Sequence, residues 1–545
     1  MSTDEKKEKK GIKKETFIQG ILALMFSQVL IKIFGLIQTL YLTNRDGFAD
    51  RGNSIYMNGY HIYALLLAIS SIGVPNAIAK LVAERLAIGD NKGVQRIFRI
   101  ALATFAVIGF AGTALLFFGA NYIANNVLYV PEAEHTIRTL APAIFFVSIS
   151  SVMRGYFNGR QEMTATSKSQ TFEQVFKTVL TVVLVEFAVV ATNKNTVMMA
   201  TFATIATSLA TMLSFIYLVM FYKRARKHIS VENDPGVESE KGSVKEIVKK
   251  ILAVSIPISL SSILSSINKN IDSFTVVRIL KPKLGGTANE LYGILSGKVD
   301  ILTSMPLAFN IAFATALVPA ISAARIKKDT ETINNRISFS LLVTLLIALP
   351  CTVGMLIYAE GILKLLFPAA SAGAVLLAIS AFTIIFTALA QTINGALQGL
   401  GKVKVPAIAL GCGVLVKLIT NIVLIPVDGI YANGAAIGSV LCHIVSFTIV
   451  YTTLRRTVKL QFKLHRLIIR PIIATIIMSI VSYGAYVFIS GLMGVRIATL
   501  CAIFIAMIVY ALAVVLLKIF SKEDILMLPK GNNIYNFLVK MKIYE

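Results

Sequence analysis

About fourteen stretches of some twenty mainly apolar residues recur along this chain, each long enough to cross a hydrocarbon core about 30 Å thick. Inside hydrocarbon every backbone polar group must be satisfied within the span, which selects a bundle of helices over an open sheet. The stretches centre near Met25, Ile69, Ile108, Phe146, Val183, Ser208, Ser262, Ala308, Leu346, Phe386, Leu415, Ser439, Met478 and Met507. Turn and cap residues fill the short links, as at Gly89 to Asn91 and Pro426 to Gly429. The expected fold is therefore all-α and polytopic. With 56% hydrophobic residues among 545, a soluble domain has too little interior to hide them.

The formal net charge of +25 suggests a polyanionic partner until its distribution is read. Roughly 38 Lys and Arg fall in the N-terminus, the even-to-odd links and the C-terminus, against roughly 8 in the opposite links. The first set holds Lys6 to Lys14, Arg85 to Arg99, Lys223 to Lys250, Arg325 to Lys328 and Arg455 to Arg470. Alternation of this kind reports orientation in a cell membrane, with both termini cytoplasmic and an even number of spans. No nucleic-acid partner is expected. No apolar segment with a small-residue cleavage site precedes Phe17, so no cleaved signal peptide is expected either.

Cys351, Cys412, Cys442 and Cys501 are scattered through the spans and read as free thiols. His443 lies within a span and reads as a packed, hydrogen-bonded histidine. No P-loop, GxSxG, HExxH or DxDxDG pattern occurs, so neither an enzyme nor a built-in ATPase is expected, and no metal or cofactor.

Two stretches align without a gap: RGYFNGRQEMTATSKSQTFEQVFKTVLTVVL from Arg154 and NGALQGLGKVKVPAIALGCGVLVKLITNIVL from Asn394. Gly155 falls on Gly395, Gly159 on Gly399, Lys177 on Lys417 and Leu184 on Leu424. An even number of spans separates the copies, which makes the repeat parallel, as in rocking transporters. The spacing divides the chain into a basic N-terminus (1–16), a first six-span lobe (17–222), a linker (223–246) and a second six-span lobe (247–454). A final helix pair with its basic loop (455–520) and a C-terminal segment (521–545) complete it.

Charges near the bilayer centre cost a few kcal/mol or more, so each needs a reason. Lys80/Glu84 and Glu173/Lys177 are spaced to neutralise themselves at i,i+4, and with Glu186 they also suit snorkelling at an interface. Lys32, Asp272 and Lys417 lie deeper, and Lys269, Lys298 and Asp300 add to them. The excess of Lys fits a cavity for an anionic substrate, with phosphate bound by point charges. The repeat spacing lays Lys32 on Asp272. Gly73, Pro75, Pro257 and Pro306 are expected to break their helices, as backbone lining a cavity is allowed to do.

The segments SSIGVPNAIAKLVAERLAIGD from Ser70, RGYFNGRQEMTATSKSQTFEQVFK from Arg154, LVPAIS from Leu317 and NGALQGLGKVKVP from Asn394 carry a resemblance. Together they resemble the polysaccharide-biosynthesis transporters of the MOP superfamily, in the SpoVB/YtgP branch related to the MurJ-type lipid II flippases. The resemblance implies fourteen transmembrane helices, with two six-helix lobes around a cationic cavity and a last pair forming an apolar groove for a polyprenyl tail. It implies a flippase for an undecaprenyl-pyrophosphate-linked saccharide such as lipid II, with membrane lipids and cell-wall synthesis proteins as partners. Essential basic residues of the first, second and eighth helices are matched here by Lys32, Lys80 and Lys298, where Lys replaces the commoner Arg and loses its bidentate fork. A sodium site in some members uses an Asp of the seventh helix and an i,i+4 pair of the eleventh. Here those positions hold Asp272, Lys417 and Asn421, and a lysine in that set implies an Asp272–Lys417 ion pair and no sodium. A small-molecule antiporter of the same superfamily and a non-transporting component of a sporulation or wall-synthesis complex are the alternatives.

Overall fold

The computed structural model describes residues 17–70, 73–160, 162–226, 243–326, 328–458, 465–526, 535–536 and 539–540. Among them every regular element is helical. The Lys6 to Lys14 cluster and most of the 223–246 linker lie outside the described residues. Contacts group the chain into two compact units, residues 1–42 with 55–274 and residues 43–54 with 275–545.

The first unit is built from α1 (Phe17–Asn44), α2 (Ala49–Ser70), α3 (Val74–Ala87), α4 (Asn91–Tyr122), α5 (Glu134–Gly159), α6 (Met163–Ala191), α7 (Thr196–Arg226) and most of α8 (Val244–Leu284). The second holds the end of α8, α9 (Thr287–Ile294), α10 (Asp300–Ile326), α11 (Thr330–Ile357), α12 (Ala359–Leu366), α13 (Ala374–Gly399), α14 (Val405–Leu424), α15 (Asn433–Thr457), α16 (Arg470–Met493), α17 (Val495–Leu516) and α18 (Lys522–Leu526). Residues 43–54, the α1–α2 turn with the end of α1 and the first residues of α2, group with this second unit.

Local chemistry sets the ends. The Asp90 carboxylate accepts the Gly93 N–H at 2.8 Å to start α4, and Asp329 accepts the Thr332 N–H at 2.9 Å to start α11. Ser243 and Glu246 exchange side-chain and backbone bonds at 3.1 and 3.2 Å, a capping box opening α8. Gly494, at φ 80°, turns α16 into α17 with a conformation that costs other residues strain.

Eleven helical segments are long and apolar enough to span a bilayer among the described residues, and the protein is a multi-pass membrane protein. The expected second, seventh and eighth spans correspond to α2–α3, α8 and α10. Buried Asn53, Asn58 and His61 dilute the apolar character of α2. Of the expected breaks, that at Gly73 and Pro75 holds, since α2 ends at Ser70 and α3 begins at Val74. Pro257 and Pro306 lie inside continuous α8 and α10, a correction consistent with proline's tolerance in packed membrane helices.

The repeat appears as the same contact made twice. Gly155 and Gly159 on α5 press against the Pro75 and Ala79 carbonyls of α3; a Cβ on either would fall 2.7 Å from the oxygen. Gly395 and Gly399 on α13 meet the Ala314 and Val318 carbonyls of α10, with 2.8 Å at Gly399 and less at Gly395. Small residues four apart let two backbones approach without side chains between them. Replacing Gly395 by Val is therefore expected to cost about 1–3 kcal/mol through overpacking against backbone that cannot retreat. It should lower the melting temperature of the purified protein, whereas Gly354→Ala, with open space around it, should not.

Candidate functional site

Helix α1 is tied to α6 between Ser27 and Tyr41 within the first unit. Ser27 Oγ donates to the Ser167 carbonyl at 3.1 Å and lies 2.7 Å from Thr171 Oγ1. Gln28 Nε2 donates to Gln170 Oε1 at 3.1 Å, and Tyr41 donates to the Glu186 carboxylate at 2.7 Å. These ties hold Lys32 on the exposed side of α1. Lys269 of α8 is exposed too, and its charge acts on that of Lys32. Neither has an acidic partner among the described residues. Two like charges that act on each other favour a nearby anion, which makes this pair one candidate for anion binding in the unit.

Lys298 has a different fate. A π turn over Leu295–Val299 joins α9 to α10 and buries Lys298 completely. Its ammonium lies 2.8 Å from Asp50 Oδ1 and donates to Asp50 Oδ2 at 3.0 Å, to the Ala370 carbonyl at 2.7 Å and to the Ala372 carbonyl at 3.0 Å. Three protons therefore have three sets of acceptors, and the Phe367 ring closes over them. Around this pair, the Gly293 and Gly297 face receives the backbone of Asp50 and the side chain of Asn53. Asn44 Nδ2 adds a bond to the Leu366 carbonyl at 2.8 Å. The expectation that Lys298 lines an open cationic cavity is corrected: in this structure it is a sealed clamp on the 43–54 segment. Asp50 carried no signal of that role, being an ordinary loop acid in sequence.

The other expected residues fall in separate places. Lys80 lies 3.8 Å from Glu84, both more than half exposed, as the i,i+4 spacing anticipates. Its ammonium faces a cavity lined also by Arg85, Arg96 and Lys250, and Lys32 is not among the lining residues. The expected Glu173–Lys177 pair is replaced. Arg154 reaches Glu173 at 2.7 Å while also holding Ser169 and Ser214, a better forked donor than Lys. Lys177 instead lies over the Tyr60 ring at 4.5 Å. Asp272 is buried in the first unit, whereas Lys417 and Asn421 are buried in the second, where Asn421 Nδ2 donates to Thr275 Oγ1 at 2.9 Å. All four cysteines are free thiols.

The last helix pair supplies an apolar feature. A cavity of about 400 Å³ lies among α11, α12, α16 and α17, with Pro350, Cys351, Met355, Met478, Met507 and Tyr510 in its lining. Tyr358 closes one side, its hydroxyl donating to Ser482 at 2.7 Å. Arg466 and Arg470 donate to the Ile519 and Lys518 carbonyls at 3.0 and 2.7 Å, and Arg466 also pairs with Asp524. The pair is thereby secured at its charged end.

Several known proteins share this sequence pattern and this geometry. Stage V sporulation protein B of Bacillus subtilis (strain 168) is 24% identical over 386 residues, covering 68% of this chain and 71% of that protein. Lipid II flippase MurJ of the same organism is 23% identical over 445 residues, covering 79% and 80%. Among solved structures, lipid II flippase MurJ in an inward closed conformation superposes with a TM-score of 0.67 at 16% identity, covering 91% of this chain and 98% of that one. An inward-facing MATE family multidrug transporter gives 0.62 at 16% identity, covering 81% and 99%. The fold is thus that of the MOP superfamily transporters. Residues 257–423 match the MatE family. Residues 17–325, more than half of the chain, match the polysaccharide biosynthesis protein family, and the chain belongs to it.

Proposed function

We propose that this protein is a flippase that moves an undecaprenyl-pyrophosphate-linked saccharide, with lipid II as the substrate to test first, from the inner to the outer leaflet by alternating access. The observation that carries the reading is the Lys32–Lys269 pair: two exposed like charges on membrane-spanning helices without acidic partners among the described residues. A pyrophosphate supplies negative charge to both ammonium groups at once, and relieving their repulsion adds to the affinity. The apolar cavity beside α16 and α17 supports the same reading, because a polyprenyl tail needs an apolar path that a small hydrophilic solute does not. A relative bearing the name lipid II flippase adds weight.

In this reading Lys80 meets the anion on its way in, and the Asp50–Lys298 clamp holds one side of the second unit shut. Asp272 and Lys417, buried charges on spanning helices, serve energy coupling, with Asn421 one turn from Lys417. Both termini face the cytoplasm, in keeping with the loop charges.

The test is reconstitution of the full chain in liposomes carrying fluorescent lipid II, with an impermeant quencher reporting the leaflet. Flipping well above protein-free vesicles is expected, along with fluorescence of a C-terminal green fluorescent protein fusion in cells. If neither lipid II nor undecaprenyl-pyrophosphate lipids with other saccharides cross faster than in empty vesicles, the proposal fails. Uptake of a small-molecule drug in that preparation would favour the antiporter reading instead.

A further inference from the structure

A second site lies apart from the Lys32–Lys269 pair. The end of α3 and the starts of α4 and α8 enclose a cavity of about 340 Å³ in the first unit, a volume within the range of small-ligand pockets. Four cations line it, Lys80, Arg85, Arg96 and Lys250, against two carboxylates, Glu84 and Glu246. The carboxylates are already engaged. Glu246 accepts the Ser243 N–H in the capping box of α8, and Glu84 lies beside Lys80. Arg85 is turned toward the buried Asp90, at 3.3 Å, which in turn caps α4. Arg96 has no acidic partner among the described residues. The cavity therefore carries net positive charge with a forked guanidinium to spare.

The rest of its wall is apolar: Leu81, Ile97 and Val254 stand beside the cations. That combination does not suit a freely hydrated ion, which gains nothing from apolar walls. It suits a phosphodiester with a glycerol and the first acyl carbons attached. Basic pockets between membrane helices near the cytoplasmic face take anionic lipid headgroups by the same logic. From this juxtaposition we infer that the cavity among α3, α4 and α8 binds the headgroup of an anionic membrane phospholipid, distinct from the transported substrate. The occupant's phosphate meets Arg96 and Lys250, and its glycerol lies against Leu81 and Val254. The start of α3 meets α8 at Gly73, whose N–H donates to Ser259 Oγ at 2.9 Å, and a bound lipid braces the two helices beyond that seam.

Thermal stability of the purified full chain in nonionic detergent tests this. Phosphatidylglycerol or cardiolipin added to the wild type should raise the apparent melting temperature by several degrees, while phosphatidylcholine should not. The R96Q/K250Q variant should lose that gain, and R96K/K250R should keep most of it. Inorganic pyrophosphate at equal phosphate concentration should stabilise far less. A gain of equal size in R96Q/K250Q, or none in the wild type, overturns the site. A gain from pyrophosphate matching that from lipid reassigns it to a soluble anion and overturns the lipid assignment. Flipping is not measured in this experiment, so its outcome is separate from that of the proposed transport activity.

Discussion

Replacing Lys32 or Lys269 by Gln is expected to reduce lipid flipping by on the order of 10- to 100-fold each, without loss of folded protein. A hydrogen bond between an ammonium and an anion contributes about 1.5–3 kcal/mol, and 1.4 kcal/mol is a factor of ten. Both side chains are exposed, so their truncation opens no cavity and leaves no buried partner unpaired. Removing one of two repelling charges should instead raise the melting temperature slightly. Lost transport with equal or greater stability is the signature of a binding role. Arg at either position should retain most activity, since it keeps the charge. The double Gln variant should fall short of the product of the singles, because both groups grip one ligand. Initial flipping rates against lipid II density in proteoliposomes decide the matter, and a double variant with wild-type rates sinks the assignment.

Asp50→Asn is expected to destabilise the fold more than any of the lysine or glycine substitutions. It leaves the Lys298 ammonium fully buried with two carbonyls and no counter-charge. Breaking one side of a buried pair costs about 3–5 kcal/mol, whereas replacing both partners by apolar groups of similar volume is often neutral. The double variant Asp50→Leu/Lys298→Met should therefore melt above Asp50→Asn. Apparent melting temperature in detergent is the measure, since a protein of this size need not unfold in two states. If Asp50→Asn melts with the wild type, the clamp contributes nothing and Lys298 is neutralised in another way.

These two lysines mark how far residue type carries. Both were visible as charges on apolar spans, and both were assigned to one anion cavity on that ground. Lys32 keeps its charge exposed, whereas Lys298 is consumed by Asp50, 248 residues distant in the chain. No local pattern links the two, because the pairing depends on a π turn and on two glycines that admit the 43–54 segment. Likewise the i,i+4 rule found Lys80 with Glu84, where solvent leaves each few competitors. It failed for Glu173, since α5 brings Arg154 against it with a guanidinium already held by Ser169 and Ser214.

The membrane class, the helical architecture and the parallel repeat were all legible in the order of residues. Hydrocarbon imposes span length and internal hydrogen bonding on any chain with such apolar runs. The repeat was readable because Gly155, Gly159, Gly395 and Gly399 act through the absence of a side chain, which is the same in sequence as in space. How each charge is placed depends on packing in three dimensions. Lys32 is exposed, Lys80 shares a cavity with Arg96 and Lys250, and Lys298 is sealed against Asp50. The difference is one of range: helix periodicity and capping act within about four residues, whereas a buried charge is neutralised by whichever group the packing brings within about 3 Å, however distant along the chain.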